Sequence, residues 1–201
     1  MTGAEKIIEG SEQLFLNAGF KSVTMDDIAK HLGISKKTIY QFFKNKDELV
    51  QAFVQSKLNA DHSHLCALMN QSGNMIEELI SMTHFAEELF SRVNPIAINE
   101  LQKHHPDAWA LFLKFKTDVL TQTLEQLLAK GIKQGYIRDS IDAKIMARMR
   151  MNQIETGFNT TIFPVAEYNV WEVQSQFLQH FNYGICTFKG IEILNNYKQT
   201  A

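Results

Sequence analysis

The strongest constraint on the fold is a stretch, residues 24–43, in which two very short helical patterns are separated by one glycine, Gly33. The first pattern lasts only about two turns and places apolar residues at i, i+3, i+4 and i+7. These residues are Met25, Ile28, Ala29 and Leu32. The second pattern covers residues 36–43, with Ile39 as its apolar anchor. Two short helices joined by a tight glycine turn predict a helix-turn-helix unit.

Capping residues support this prediction. Thr24 and Asp27 have the spacing of a capping box at the start of the second helix. Ser35 is a favourable N-cap for the third helix. Residues 4–18 carry the apolar repeat of a first, supporting helix. The N-terminal part of the chain is therefore predicted to be a three-helix module.

The rest of the chain reads as a larger helical bundle. The sequence has only 10 Gly and 3 Pro in 201 residues, and no convincing alternation of apolar and polar residues indicates a strand. A linking helix is predicted over residues 46–70, with a boundary at 71–74. The fold class is all-α, with the helix-turn-helix module at 1–48 and a bundle at 49–201. Further helices are predicted near 74–92, 95–104, 106–134, 141–161, 169–186 and 189–198.

Composition excludes several classes of protein. The longest unbroken apolar run, Ala108 to Leu113, is far too short to span a bilayer, so we expect no membrane partner. Acidic residues among the first twenty positions argue against a secretory signal. The two cysteines, Cys66 and Cys186, are far apart, which predicts no disulfide framework and a cytoplasmic location.

The third predicted helix has two chemically different faces. At about 100° per residue, Ile39, Phe42 and Phe43 fall in one sector and are expected to face the core. Two cations, a phenol and an amide fall on the other side: Lys36, Lys37, Tyr40 and Gln41. Five lysines and no Asp or Glu occur from Ile28 to Lys46. Such a surface is suited to DNA phosphates and base edges, although an ordinary solvated lysine face is the alternative.

The segment TMDDIAKHLGISKKTIYQFFKNKDEL closely resembles the DNA-binding domain of the TetR/AcrR family of bacterial transcriptional regulators. The resemblance covers roughly residues 5–55 and includes the KxTIYxxF pattern of the recognition helix. It implies a homodimer that binds a double-stranded DNA operator and is usually released by a small-molecule effector. Beyond residue 60 the resemblance is architectural only.

Carried over by position, the resemblance assigns DNA contacts. Thr24 would contact a phosphate at the start of the second helix, and Tyr40 and Lys46 would also contact phosphates. Phe42 stands where the family often has Tyr or His, so it is left out because its ring cannot donate a hydrogen bond. The predicted DNA-contact residues are Thr24, Ser35, Lys36, Lys37, Thr38, Tyr40, Gln41 and Lys46.

A pocket for a mostly apolar effector is predicted in the C-terminal bundle. Asn152 and Thr156 share one helix face with Ile145 and Met149, so these polar groups either meet a ligand or are satisfied by neighbours. The resemblance places the helix of His84 next to the pocket. The predicted lining residues are His84, Phe85, Trp109, Phe112, Met149, Asn152, Gln153 and Thr156.

A dimer interface is predicted on the last long helix, residues 169–186. Its apolar arc is wider than one covering helix requires, and with helix 141–161 it can form half of a four-helix bundle about a two-fold axis. The predicted interface residues are Trp171, Phe177, Leu178, Phe181 and Ile185.

Catalytic and metal sites are not indicated. The sequence has no GxSxG, no HExxH and no glycine-rich phosphate loop, so we expect neither an enzyme nor a cofactor. His62 and His64 are two residues apart on different helix faces, which disfavours metal chelation. The leading hypothesis is a ligand-released repressor. The alternative is a helical ligand-binding protein of the same fold that no longer binds DNA.

Overall fold

The computed structural model describes residues 2–69, 74–92 and 94–200. Over these residues the chain is helical, with one isolated antiparallel bridge between Ile137 and Cys186, so the all-α prediction is confirmed. The predicted break at 71–74 lies, apart from Asn74, outside the described residues. The helices are α1 Gly3–Ser22, α2 Met25–Leu32, α3 Lys36–Tyr40, α4 Lys46–Met69, α5 Met75–Arg92, α6 Pro95–His104, α7 Pro106–Phe115, α8 Gln122–Gln134, α9 Ala143–Gly157, α10 Val170–Ile185 and α11 Phe188–Thr200, with a π-helical segment Lys116–Thr121 between α7 and α8.

The chain forms two compact units. The first consists of Met1–Asp61 and Arg92–Phe115, and the second of His62–Ser91 and Lys116–Ala201. Helix α4 begins in the first unit and ends in the second. The functional division at residue 48 remains a prediction.

The first unit is built around an aromatic core. Phe15 stacks on Phe20 with ring centroids 5.0 Å apart, and Phe53 tilts against Phe15 at 5.4 Å. Gly19 interrupts α1 with a φ of 81°, a conformation that favours glycine. The predicted end of the first helix near this residue therefore corresponds to a kink, after which the chain adds one more helical turn.

The second unit has its own apolar core. Leu127, Leu128 and Ile76 are fully buried there, together with Phe181 and Ile185 from α10. Helix α9 packs against both α8 and α10, and α9 begins where the side chain of Asp142 accepts hydrogen bonds from the first backbone N–H groups.

The single helix predicted over residues 106–134 is divided into α7, a π-helical segment and α8. The segment Lys116–Thr121 is π-helical, and the hydroxyl of Thr121 donates to the carbonyl of Lys116, five residues earlier, at 2.7 Å. One inserted residue per turn changes the direction of the following side chains. Simple helical periodicity across this segment therefore gives the wrong faces for α8.

Candidate functional site

The turn between α2 and α3 has the geometry that its glycine requires. Gly33 has a φ of 65° and caps α2, because its N–H bonds back to the last turn of the helix. The next residue, Ile34, donates its N–H to the carbonyl of Ala29 at 3.0 Å. These bonds fix where α3 begins relative to α2.

Helix α3 is held by one anchor and the residues that follow it. Ile39 is fully buried, and Phe43 is only 5% exposed. The expectation that Phe42 faces the core is wrong, since its side chain is 45% exposed. The reason is that α3 ends at Tyr40, so the regular turn of 100° per residue does not extend to position 42.

The N-terminus of α2 is closed by the predicted capping box. The Thr24 hydroxyl donates to the Asp27 carboxylate at 2.6 Å and accepts the backbone N–H of Asp27 at 3.2 Å. The bonds from the Thr24 hydroxyl and then from its backbone N–H hold the pKa of Asp27 below its ordinary value. In this conformation the hydroxyl proton of Thr24 is already used within the helix cap.

Ser35 and Thr38 form a similar local pair at the start of α3. The side chain of Ser35 accepts the backbone N–H of Thr38 at 3.1 Å, and the two hydroxyl oxygens lie 2.8 Å apart. Both residues therefore set the position and direction of α3, whatever further contact they make.

Three of the predicted contact residues present open side chains. Lys37, Tyr40 and Gln41 are exposed on α3 and the turn after it, and no described residue pairs with their side chains. Together they offer a cation, a phenol and an amide on one surface. These groups can neutralise phosphates and hydrogen-bond to base edges.

Two predicted cationic contacts are engaged within the protein. Lys36 forms an ion pair with Asp26 at 3.1 Å, both being exposed. Lys46 donates to the carbonyl of Lys21 at 3.3 Å, and burial lowers the pKa of its ammonium, while Asp47 and other acids oppose this. Sequence reasoning missed Asp26 because the acid-free stretch was counted from Ile28. The i to i+10 spacing across a helix-turn-helix could have indicated the pair.

The second unit carries an open groove along α9 and α10. Its volume is about 470 Å³, and it contains half of the predicted effector pocket together with one predicted interface residue. The lining residues are Ile145, Arg148, Met149, Asn152, Gln153, Thr156 and Phe177. Ile145 is 61% exposed and Met149 is 39% exposed, so this face of α9 lies at the surface of the chain.

The other four predicted pocket residues lie elsewhere. His84 is exposed and lies 3.7 Å from Glu87. Phe85 is buried and packs edge-on against His64. Trp109 and Phe112 belong to the first unit, where their rings stack 5.0 Å apart against its core. The effector assignment of these four residues is therefore unsupported by their placement.

The predicted interface residues divide by depth. Phe181 and Ile185 are each 2% exposed and belong to the core of the second unit, and Leu178 is also buried. Trp171 and Phe177 are half-buried. The wide apolar arc of α10 arises because one side of the helix packs into its own chain.

Metal-binding and membrane-spanning features do not occur in the described ranges 2–69, 74–92 and 94–200. No group of three or more His, Cys, Asp or Glu side chains in these ranges is placed to hold a metal ion. Within the same ranges, no helix has the length and apolar character needed to cross a membrane.

Comparison with known families matches residues 7–53 to the family described as bacterial regulatory proteins, tetR family. The chain is similar to the probable HTH-type transcriptional regulator ArpR of Pseudomonas putida, with 35% identity over 149 residues, which cover 69% of this chain and 70% of the relative. It is 30% identical to the HTH-type transcriptional regulator TtgR of Pseudomonas putida, with the same coverage. Its match to the uncharacterized HTH-type regulator YvaF of Bacillus subtilis is 33% identical over 106 residues, or 52% of this chain and 55% of the relative.

Solved structures share the fold. A TetR-family regulator from Agrobacterium tumefaciens superposes with a TM-score of 0.74 at 18% identity, covering 92% of this chain and 98% of that chain. SmeT, the repressor of the Stenotrophomonas maltophilia multidrug efflux pump SmeDEF, gives a TM-score of 0.70 at 17% identity, covering 94% and 92%. At these identities the likeness concerns the fold alone.

Proposed function

The chain belongs to the TetR family of bacterial regulatory proteins, and we propose that it represses transcription from a palindromic operator and is released by a small, mostly apolar effector. The observation that carries the DNA-binding part is the exposed surface of α3. This surface presents Lys37, Tyr40 and Gln41, and no acid occurs from Ile28 to Lys46. A cytoplasmic, non-enzymatic protein is consistent with this proposal.

We propose that the eight predicted DNA-contact residues have different roles. Lys37, Tyr40 and Gln41 are the proposed direct contacts, because their side chains are exposed and unengaged. Ser35 and Thr38 orient α3 through their mutual bonds. The Thr24 hydroxyl reaches DNA only by exchanging its bond to Asp27, whereas Lys36 and Lys46 each make one bond within the protein and keep further N–H donors for a phosphate.

The test is a titration of fluorescently labelled duplex against salt concentration. About four phosphate contacts per subunit in a dimer give a log–log slope of roughly −5 to −8 through counterion release. A slope near zero, or no binding of random duplex and heparin at low salt, would favour the alternative of a helical ligand-binding protein that no longer binds DNA. If the protein does bind duplex, a footprint on the intergenic DNA beside the gene identifies the operator.

We propose that a second copy of the chain covers the groove face of α9 and α10. Exposed Ile145 and Met149, with half-buried Phe177, make an apolar strip bordered by Arg148 and Thr156. A two-fold pairing of α9 and α10 would form a four-helix bundle from two protomers. Within this interface Leu178, Phe181 and Ile185 support the strip from inside their own protomer, and Trp171 lies near the start of α10.

The effector is proposed to act through the second unit. Release requires that the effector prefer a conformation of the dimer that binds DNA weakly, since only differential binding shifts an equilibrium. Helix α4, which has residues in both units, is the proposed path of coupling. SmeT, with the same fold, is described as a repressor, which favours repression over activation for this chain.

A further inference from the structure

Unpartnered polar atoms are concentrated on two helices. In the part of the chain that the structure describes, four buried side-chain nitrogen or oxygen atoms have no hydrogen-bond partner. All four lie on α9 or α10, and they belong to Arg150, Gln153, Gln174 and Asn182. Folded proteins leave few such atoms, so their concentration in one place requires an explanation.

Arg150 is the most unusual of the four. Its side chain is only 3% exposed, and its Nη1 has no acceptor among the described residues. No described carboxylate forms an ion pair with it: Glu155, on the same helix, pairs with Lys116, and the buried Glu78 of α5 pairs with Lys130. Burial alone lowers the pKa of Arg150 to about 10, so the guanidinium stays charged at neutral pH.

An arginine in this state destabilises the ligand-free protein. Arginine is almost never buried unless it is paired, because desolvation of the charge is not offset. The other three unpartnered atoms are amide oxygens of Gln153, Gln174 and Asn182, which accept hydrogen bonds and therefore require a donor rather than an anion. The unpaired guanidinium is consistent with a site whose anion is supplied from outside the chain.

A second protomer does not readily supply this anion. At about 100° per residue, Arg150 lies about 100° from Met149 and about 140° from Ile145 around α9. Those two residues mark the exposed groove face, whereas Arg150 is covered by its own chain. The interface face and the Arg150 face of α9 are therefore different surfaces.

The surroundings favour a ligand with an apolar body. Ala147 and Met151 flank Arg150 along α9 and belong to the core of the second unit. That core and its border are rich in methionine, an adaptable side chain that can rearrange around a guest. The methionines are Met69, Met75, Met82, Met146 and Met151.

We infer that Arg150 binds the carboxylate of a mostly apolar effector inside the second unit. This inference rests on the proposed function, in that it specifies the chemical class of the effector. The planar guanidinium matches a carboxylate through two parallel hydrogen bonds, and a charge-assisted bond of this kind is strong where water is excluded. The apolar remainder of the ligand would occupy the methionine-rich core.

The test is calorimetric titration of the full-length protein with decanoate and with 1-decanol, which has the same chain length but no charge. The parent should bind decanoate at least about tenfold more tightly than decanol. Arg150→Met should lose about tenfold in decanoate affinity while its affinity for decanol is unchanged. Lys144→Met is the matched control, because Lys144 is an exposed cation on the same helix, and it should behave like the parent.

A melting curve adds a readout that separates binding from structure. Ligand-free Arg150→Met should melt at or above the parent temperature, because an unpaired buried charge is removed, and decanoate should no longer raise it. A lower melting temperature with unchanged decanoate affinity would overturn the inference and make Arg150 structural.

If Arg150→Met does not fold, the parent protein alone still tests whether a carboxylate is bound. Equal affinity for decanoate and decanol overturns the inference, and so does the absence of binding for hexanoate, decanoate and hexadecanoate alike. Because no DNA is present, this failure is distinct from that of the proposed function. If the protein binds duplex but no carboxylate, the proposed function stands and the inference fails. If it binds carboxylate but no duplex, the proposed function fails.

Discussion

Replacing Ile39 by alanine is predicted to destabilise the first unit while its neighbour Tyr40 tolerates the same change. Ile39 is fully buried in the core of the first unit, and Tyr40 is 46% exposed. Alanine at position 39 removes about three carbon groups, each worth about 0.8 kcal/mol of transfer free energy. The cavity left behind adds to this cost, so the free energy of unfolding should fall by about 2–5 kcal/mol.

Thermal unfolding followed by circular dichroism measures this difference. In a chain of 201 residues each kcal/mol corresponds to about 2–4 °C, so Ile39→Ala should melt about 4–20 °C below the parent. Tyr40→Ala should change the free energy by no more than about 0.5 kcal/mol and yet weaken duplex binding. The orientation of α3, with Ile39 inward and Tyr40 outward, would be refuted if Ile39→Ala kept the melting temperature of the parent and Tyr40→Ala lowered it.

Three further outcomes are expected. Lys37→Ala should reduce the magnitude of the log–log salt slope of duplex binding by about 2 for a dimer, without a change in melting temperature; an unchanged slope would remove Lys37 from the phosphate contacts. Ile145→Glu and Phe177→Glu should each yield monomers in light scattering, and dimers that persist in both would place the interface elsewhere. Burial lowers the pKa of His105 below its ordinary 6.5 despite the 2.7 Å bond to Asp47. As the pH falls below about 6.5, the unfolded chain therefore binds more protons at this residue than the folded chain does. The melting temperature should therefore decline below about pH 6.5, a decline that His105→Asn should reduce.

The N-terminal module could be predicted from the sequence because its determinants are local. Thr24 with Asp27, Ser35 and Gly33 each act on backbone groups within a few residues, and the structure confirms all of these caps. The prediction that Phe42 faces the core was wrong because α3 ends before its apolar pattern does. Periodicity does not indicate the residue at which a short helix ends.

The second unit was harder because its determinants are not local. The shared face of Ile145 and Met149 was recognised, but periodicity cannot tell a face that lines an internal pocket from one that lies at the surface. The π-helical segment has no strong sequence signal, and it changes the faces of α8. Arg150 escaped notice because a single arginine in a helix is normally solvated, and only packing shows that it is buried.

The ion pair between Lys36 and Asp26 affects how the protein discriminates among DNA sequences. While the pair is intact, the charge of Asp26 offsets that of Lys36, so the pair adds less to the sequence-independent attraction for duplex than a free lysine would. Lys36 has further N–H donors, so a well-placed acceptor on DNA can either add to or displace the bond to the Asp26 carboxylate. We therefore expect the acid ten residues earlier in the chain to weaken attachment to the many wrong sites of a genome more than attachment to an operator that supplies such an acceptor.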